Sequence, residues 1–315
     1  MPCKNEEKNI ANCLSAIIQQ DKSNLIEVIV VDNGSEDGTI TILKGFGPEV
    51  KVLSMPDASI AKVRNYGARY ATANWLAFID SDVEVAHDWL ETLLSALERE
   101  SNAGIDIKKL VTGSTCNIPQ DSSWIERVWF AQLTARDSGG NSYINSGHLI
   151  VHKSLFEVVG GFDPSLKTGE DEAFCEEAAK RGGIIRKVPE ICAIHYGYPK
   201  TLRGFFIRER WHGFGMVKHI NKPWRYRDLM LALYNWALLI LLGALFISGV
   251  PLKWSLPLIA VCLVCPLFVL SMFRSNGNIL AALKLTLIFL VYSGAKTVAL
   301  GNILMQRFCR ISAGG

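Results

Sequence analysis

The chain has 315 residues and a formal net charge of +3, a balance too small to mark a nucleic-acid binder. Its hydrophobic fraction of 49% and mean hydropathy of +0.20 run high for a purely soluble protein. The excess is uneven: up to about residue 200 charged and apolar residues mix as in a globular domain, whereas from Leu229 the sequence is overwhelmingly apolar. Met1 is followed at once by polar, charged residues, so no secretory signal peptide is expected. The eight cysteines are scattered and imply neither a disulfide framework nor an oxidising compartment.

In chain order, Ile26–Asp32 is a short β-branched apolar run of the kind a buried parallel strand shows. Asn33-Gly34-Ser35 turns the chain into a helix through Phe46. Val50–Met55 reads as a second strand, followed by a helix from about Ser59 to Ala73. Trp75–Ile79 reads as a third strand, followed by a helix from about His87 to Glu100. Strands alternating with helices imply right-handed crossovers and a mostly parallel central sheet flanked by helices. Ligands of such sheets bind beyond the carboxyl ends of the strands.

Asp32 and the Asp80/Asp82 pair both fall at that edge. Either could merely cap the helix that follows. Asp80 and Asp82, two residues apart around a bend, can also turn carboxylate oxygens to one hard cation, Mg²⁺ or Mn²⁺, that keeps positions open for phosphate oxygens. That arrangement suits phosphoryl or glycosyl transfer from a nucleotide donor.

Thr201 to Ile220 interleaves basic residues with Phe205, Phe206, Trp211 and Phe214, as in a helix at headgroup level or in a plain packing helix. Residues 229–249 are apolar over roughly 30 Å, the thickness of a hydrocarbon core. Trp254 to Phe273 forms a second run, and its Pro257 and Pro266 are tolerable in a membrane helix. Ile279 to Leu304 forms a third, interrupted by Lys284 and Lys296; it is expected either to span, with Lys284 snorkelling and Lys296 facing other helices or water, or to lie partly in the interface. Cys262 and Cys265 are read as small residues of a membrane helix. The expected division is therefore residues 1–200 catalytic, 201–228 interfacial and 229–305 transmembrane, with two to three spans. Arg203, Arg208, Arg210, Lys218, Lys222, Arg225 and Arg227 precede the first span, which places the N-terminal domain in the cytoplasm.

Five ordered segments resemble the family 2 glycosyltransferases, inverting enzymes of the GT-A fold. They are Pro2-Cys3-Lys4-Asn5-Glu6-Glu7, Val30 to Thr39 with Asp32, Ala61 to Ala68 with Arg64 and Asn65, Phe78 to Asp82, and Gly160-Gly161-Phe162-Asp163 followed by Gly169-Glu170-Asp171-Glu172. The resemblance covers roughly residues 1–215. It implies that Pro2, Asn5, Glu6, Asp32, Arg64, Asn65 and Asp80 contact the nucleotide. It makes Asp80 and Asp82 a DXD metal motif, with His195 as a further ligand, and Asp171 the base that deprotonates the acceptor hydroxyl. Without it, Asp171 would read as a helix-start carboxylate complementing the dipole. Glu170, Arg210 and Trp211 are assigned to the acceptor or diphosphate, Arg210-Trp211 resembling the end of the QxxRW motif of processive synthases with Ile207 in place of its Gln. The family usually carries an apolar strand before the Pro2 turn, so the first strand is expected to be truncated.

The resemblance implies a multi-pass cell-membrane enzyme with a cytoplasmic catalytic domain. It would use Mg²⁺ or Mn²⁺ to move a sugar, with inversion, from a UDP- or GDP-sugar to a lipid-linked or glycan acceptor, without nucleic-acid partners. The alternatives are a polyprenyl-phosphate sugar synthase and an inactive membrane scaffold subunit.

Overall fold

The structure is a computed structural model that describes residues 1–21, 25–137, 143–219 and 226–313. The chain divides into two compact units, Met1–Asp121 with Thr134–Tyr198, and Ser122–Leu133 with Pro199–Gly315.

The first unit is mixed α/β. Strand β1 (Pro2–Cys3) leads into α1 (Ile10–Ile18), whose buried Ile10, Cys13, Leu14 and Ile17 recur at one helical face. Strand β2 (Val28–Asp32) is followed by α2 (Thr39–Gly45), β3 (Val50–Ser54) and α3 (Ile60–Tyr70). These three strands form a parallel sheet in the order β1-β2-β3, with Cys3 opposite Asp32 and Asp32 opposite Ser54. Strand β4 (Trp75–Ile79) turns into the short β5 (Val83–Val85), and α4 (Trp89–Asn102) leads to β6 (Leu110–Gly113). After α5 (Trp124–Asp137), which belongs to the second unit as far as Leu133, come β7 (His148–His152), α6 (Lys153–Val159), α7 (Glu170–Lys180), β8 (Ile184–Lys187) and β9 (Ala193–His195).

The second sheet has the order β4-β7-β6-β8, and β5 pairs with β9. The expected strands at β2, β3 and β4 are present. However, β4 does not run beside a parallel neighbour in its own sheet. It pairs antiparallel with β7, which is antiparallel to β6 as well. The run His148-Leu149-Ile150-Val151 is buried on both faces, which suits its interior position between two strands. Aromatic contacts among Phe78, Phe156, Phe162 and Phe174 fill the space between this sheet and α6 and α7.

The second unit is helical: α8 (Leu202–His212), a 3-10 segment (Gly213–His219), α9 (Arg227–Ile247), α10 (Leu252–Arg274) and α11 (Ile279–Ala313). Three stretches, Arg227–Ile247, Leu252–Arg274 and Ile279–Gln306, are long and apolar enough to cross a membrane, with mean hydropathies of 2.2, 2.6 and 1.6. The third is less apolar because half of its most apolar window is buried in protein, against 11% for each of the others. Its polar side chains use that burial. Asn235 of α9 donates to Ser293 Oγ and to Thr297 Oγ1 of α11, the kind of hydrogen bond that holds helices together in lipid. Lys284 is exposed, and Lys296 is buried against other helices. Within α10, Pro266 has no N–H for the carbonyl of Cys262. The Tyr234 hydroxyl of α9 donates to that carbonyl instead, at 2.8 Å. Lys222 and Arg225, used above for orientation, lie outside the described residues, as does most of the loop between Asp137 and Gly147.

Candidate active site

The carboxyl end of β2 carries Asp32, which is buried and accepts hydrogen bonds from the backbone N–H groups of Gly34 and Ser35 at 3.0–3.3 Å. The neighbouring turn is braced against it. Asn5 takes a left-handed backbone conformation (φ 57°), donates its N–H to Ser35 Oγ and accepts from the N–H of Glu36. The N–H of Glu6 donates to Thr39 Oγ1 at 2.8 Å. Pro2 is buried in β1 opposite Val31. The turns after β1 and β2 therefore form one braced edge.

The end of β4 carries Asp80, whose N–H donates to the carbonyl of Gly147 at 3.1 Å. Its Oδ1 lies 2.6 Å from Nη2 of Arg64, and Nη1 of the same guanidinium lies 2.6 Å from Oε1 of Glu170. Arg64 is buried on α3, so it joins the β4 end to the start of α7. Asn65, its neighbour, is engaged by Phe162: the side-chain amide donates to the Phe162 carbonyl at 2.7 Å and accepts from its N–H at 2.9 Å. Both residues, expected from sequence to meet a nucleotide, here make internal bonds that fix other parts of the site.

Asp82 follows in the bend before β5. The β5–β9 ladder places His195 opposite Val83, and the N–H of Tyr196 donates to the Asp82 carbonyl. His195 Nε2 consequently lies 3.2 Å from Asp82 Oδ2, although 113 residues separate the two. Glu6 belongs to the same acidic edge. Burial, and then the charges of Asp82 and Asp80, raise its carboxyl pKa against donation from Asn9.

Asp171 stands in the first turn of α7, fully within the protein. Its carboxylate accepts from the N–H of Glu172 at 2.8 Å and of Ser146 at 3.3 Å. Burial, reinforced by the charge of Glu170, pushes its pKa up to about 6, against the bonds from Glu172 and Ser146 and the charge of Arg64. The segment 145–148 thus lies against both acidic centres, since Gly147 bonds Asp80 and Ser146 bonds Asp171.

That segment is fixed from below by a network that the sequence did not reveal. Trp89 Nε1 donates to Nε2 of the buried His148 at 2.7 Å. His148 Nδ1 then carries the proton and donates to Ser114 Oγ at 2.9 Å, while Ser114 donates to the Ile191 carbonyl. Burial holds the His148 pKa down to about 4, so the ring is neutral. Its two ring partners, Trp89 and Ser114, come from distant parts of the chain, and the local signal was a histidine opening an apolar run.

Among the described residues, no three His, Cys, Asp or Glu side chains stand close enough together to hold a metal ion as they are. The donor set at this edge nevertheless fits one. Asp80 and Asp82 offer hard oxygens and His195 an imidazole. Two glycines pack directly against these donors. A Cβ at Gly147 would lie 2.8 Å from Asp80 Oδ2, and one at Gly197 would lie 1.8 Å from Asp82 Oδ2 and 2.9 Å from His195 Nε2. At both carboxylates glycine therefore lets the backbone approach the donor oxygens more closely than any larger residue could.

In the second unit, α8 turns Phe205 and Glu209 inward and leaves Arg203, Ile207, Arg210 and Trp211 exposed. Arg210 and Trp211 share that outward face.

Comparison with known proteins gives consistent results. The model of the family described as Glycosyl transferase family 2 matches residues 1–160. Glycosyltransferase AglE of Haloferax volcanii is 29% identical over 208 residues, covering 63% of this chain and 66% of that protein. The pre-mycofactocin glycosyltransferase of Mycobacterium tuberculosis is 28% identical over 204 residues, covering 60% of this chain and 41% of that protein. The chain thus matches between about two fifths and just under two thirds of these relatives' lengths. Among solved structures, the mannosyltransferase PcManGT from Pyrobaculum calidifontis, in complex with GDP-Man and Mn²⁺, has the same fold. Its TM-score is 0.58 at 20% identity, over 94% of this chain and 85% of that one.

Proposed function

The chain belongs to glycosyl transferase family 2, and from that membership we propose that it moves a sugar, with inversion, from a UDP- or GDP-sugar to a lipid-linked or membrane-proximal acceptor. The single observation that carries this reading is the run Asp80–Arg64–Glu170 ending beside Asp171. It links the proposed donor-binding edge to a carboxylate whose pKa of about 6 suits a general base near neutral pH. A solved structure of the same fold holds GDP-Man and Mn²⁺, which supports a nucleotide-sugar donor and a divalent cation here.

Asp80, Asp82 and His195 would hold Mg²⁺ or Mn²⁺, which when bound offsets charge on the departing nucleoside diphosphate. The turns carrying Pro2, Asn5, Glu6 and Asp32 shape the place of the nucleotide base. Arg64 and Asn65 position these groups from behind. Asp171 accepts the proton of the acceptor hydroxyl while that oxygen bonds to the anomeric carbon. The bond from that carbon to the diphosphate oxygen breaks on the opposite face, so the configuration inverts. The basic residues before the first span place the catalytic unit on the cytoplasmic side of the cell membrane.

The exposed Arg203 and Arg210 on α8 favour a second reading, in which the acceptor is a polyprenyl phosphate. Its oxygen is already ionised, and no base is needed. The test is release of nucleoside diphosphate by the full chain in detergent, across a panel of nucleotide sugars with Mn²⁺ or Mg²⁺. Release from one donor, enhanced by a lipid acceptor, is expected. No release from any donor under either metal would overturn the proposal.

A further inference from the structure

An ammonium group within a membrane-spanning segment is costly and persists only where protein partners surround it. Lys296 of α11 is 2% exposed. Its Nζ lies 3.0 Å from Glu209 Oε2, 3.1 Å from the Glu209 carbonyl and 3.7 Å from Asp228 Oδ2. The ring of Tyr292 lies beneath it at 4.7 Å. Glu209 is itself 4% exposed and sits on α8, while Asp228 opens α9. One turn further on, Gly213 approaches α11 so closely that a Cβ there would stand 2.5 Å from Cβ of Ala299.

A hydrophobic pair would join these helices with less desolvation, and burial of an ion pair is weak evidence for stability. What the pair adds is direction. A buried charge has one satisfactory partner arrangement, so the rotation of α8 about its axis is set by where Glu209 must point. Successive helical residues are about 100° apart. With Phe205 and Glu209 turned inward, Arg203, Ile207, Arg210 and Trp211 are left on the outward face.

We propose that Lys296 is a positioning residue that, through Glu209 and Asp228, fixes the rotation of α8 and so presents Arg210 and Trp211 to the phosphate of a lipid-borne acceptor. The inference rests on the acceptor-side reading of Arg210 given above. It assigns to a membrane-helix lysine a role in acceptor affinity with no effect on the nucleotide site.

The test measures binding of geranylgeranyl phosphate to the full chain in detergent micelles, alongside calorimetry with GDP or UDP and Mn²⁺. Arg210→Gln and Lys296→Met are each expected to weaken lipid-phosphate binding about tenfold, within the range seen for residues sharing one network. The double variant is expected to bind no more weakly than Arg210→Gln alone. The exchange Lys296→Glu with Glu209→Lys is expected to recover part of the loss, nucleotide binding is expected to stay unchanged in the Lys296 and Glu209 variants, and circular-dichroism melts report that the helical unit of each variant is folded. If Lys296→Met proves unfolded, Glu209→Gln takes its place in the same cycle. Arg210→Gln binding like wild type would overturn the acceptor reading and this inference with it. A loss with Arg210→Gln that Lys296→Met does not share, or losses that simply add, would overturn this inference alone.

Discussion

Nη2 of Arg64 lies 2.6 Å from Oδ1 of Asp80, and the other terminal nitrogen of that guanidinium lies as close to Glu170. A planar fork with two faces of donors can serve two carboxylates at once, which a point charge cannot. Arg64→Met leaves Glu170 buried and unpaired. It is expected to lower stability by roughly 3 kcal/mol, the scale of a broken buried pair, and to reduce turnover. Arg64→Lys retains one contact and should fall between the two. Thermal melts in detergent with a turnover assay check the order, and a lysine variant as active as wild type would refute the two-sided role.

Asp82 contributes its carboxylate to His195 and its carbonyl to Tyr196. Asp82→Ala removes the carboxylate from His195 and keeps the carbonyl on Tyr196, and stability is expected to change by less than about 1 kcal/mol. Binding of GDP or UDP in the presence of Mn²⁺ is expected to drop to the level that wild type shows after EDTA treatment. Calorimetry decides it: an affinity equal to wild type removes Asp82 from the metal assignment.

The acidity of Asp171 gives a pH dependence. Burial and the charge of Glu170 raise its pKa to about 6, so below that pH the carboxyl is protonated and cannot accept a proton. The limiting kcat/KM is expected to be level above about pH 7 and to fall roughly tenfold per pH unit on the acid side. Asp171→Asn should lower turnover at least about a hundredfold and erase the acid limb, while leaving nucleotide binding intact. Turnover that survives the substitution would point to the polyprenyl-phosphate acceptor, which carries no proton to remove.

Gly161 sits at φ 77°, and a Cβ there would lie 2.7 Å from Oδ1 of Asn65 and 3.2 Å from the ring of Phe156. Gly161→Ala therefore meets both a left-handed backbone and a displaced Asn65. A loss of about 1–3 kcal/mol is expected, and Asn65→Ala should lose a similar amount by leaving the Phe162 N–H and carbonyl unpaired. Chemical or thermal unfolding of the two variants and their combination is the check. The combined loss should be smaller than the sum, because both act on one turn.

The parts legible from sequence were those whose cause is local. Val28–Asp32, Val50–Ser54 and Trp75–Ile79 announce themselves by β-branched or aromatic runs ending in turn residues, and the three membrane-length helices by long apolar runs, the third broken by Lys284 and Lys296. Asp82 stood out by its place at a strand end, and Asp171 through the family resemblance, since a helix start alone gives its carboxylate a structural reading. What could not be read is the set of partners reached across the fold. Glu170 and Phe162, which engage Arg64 and Asn65, lie 106 and 97 residues away from them. His148 was invisible for the same reason, as was the match between Lys296 and Glu209. Strand β7 was missed because three apolar residues between two histidines carry no period, and its two neighbouring strands make it a strand.

The hydroxyl of Tyr234 on the Cys262 carbonyl bears on what the hydrocarbon interior tolerates. A carbonyl deprived of its helical donor by Pro266 would draw a water molecule inward, because nothing in lipid can replace that donor. With the phenol in place that carbonyl has a donor from protein and requires no water. The proline can then shape α10 without opening a route along which water or protons could seep from one side of the membrane to the other.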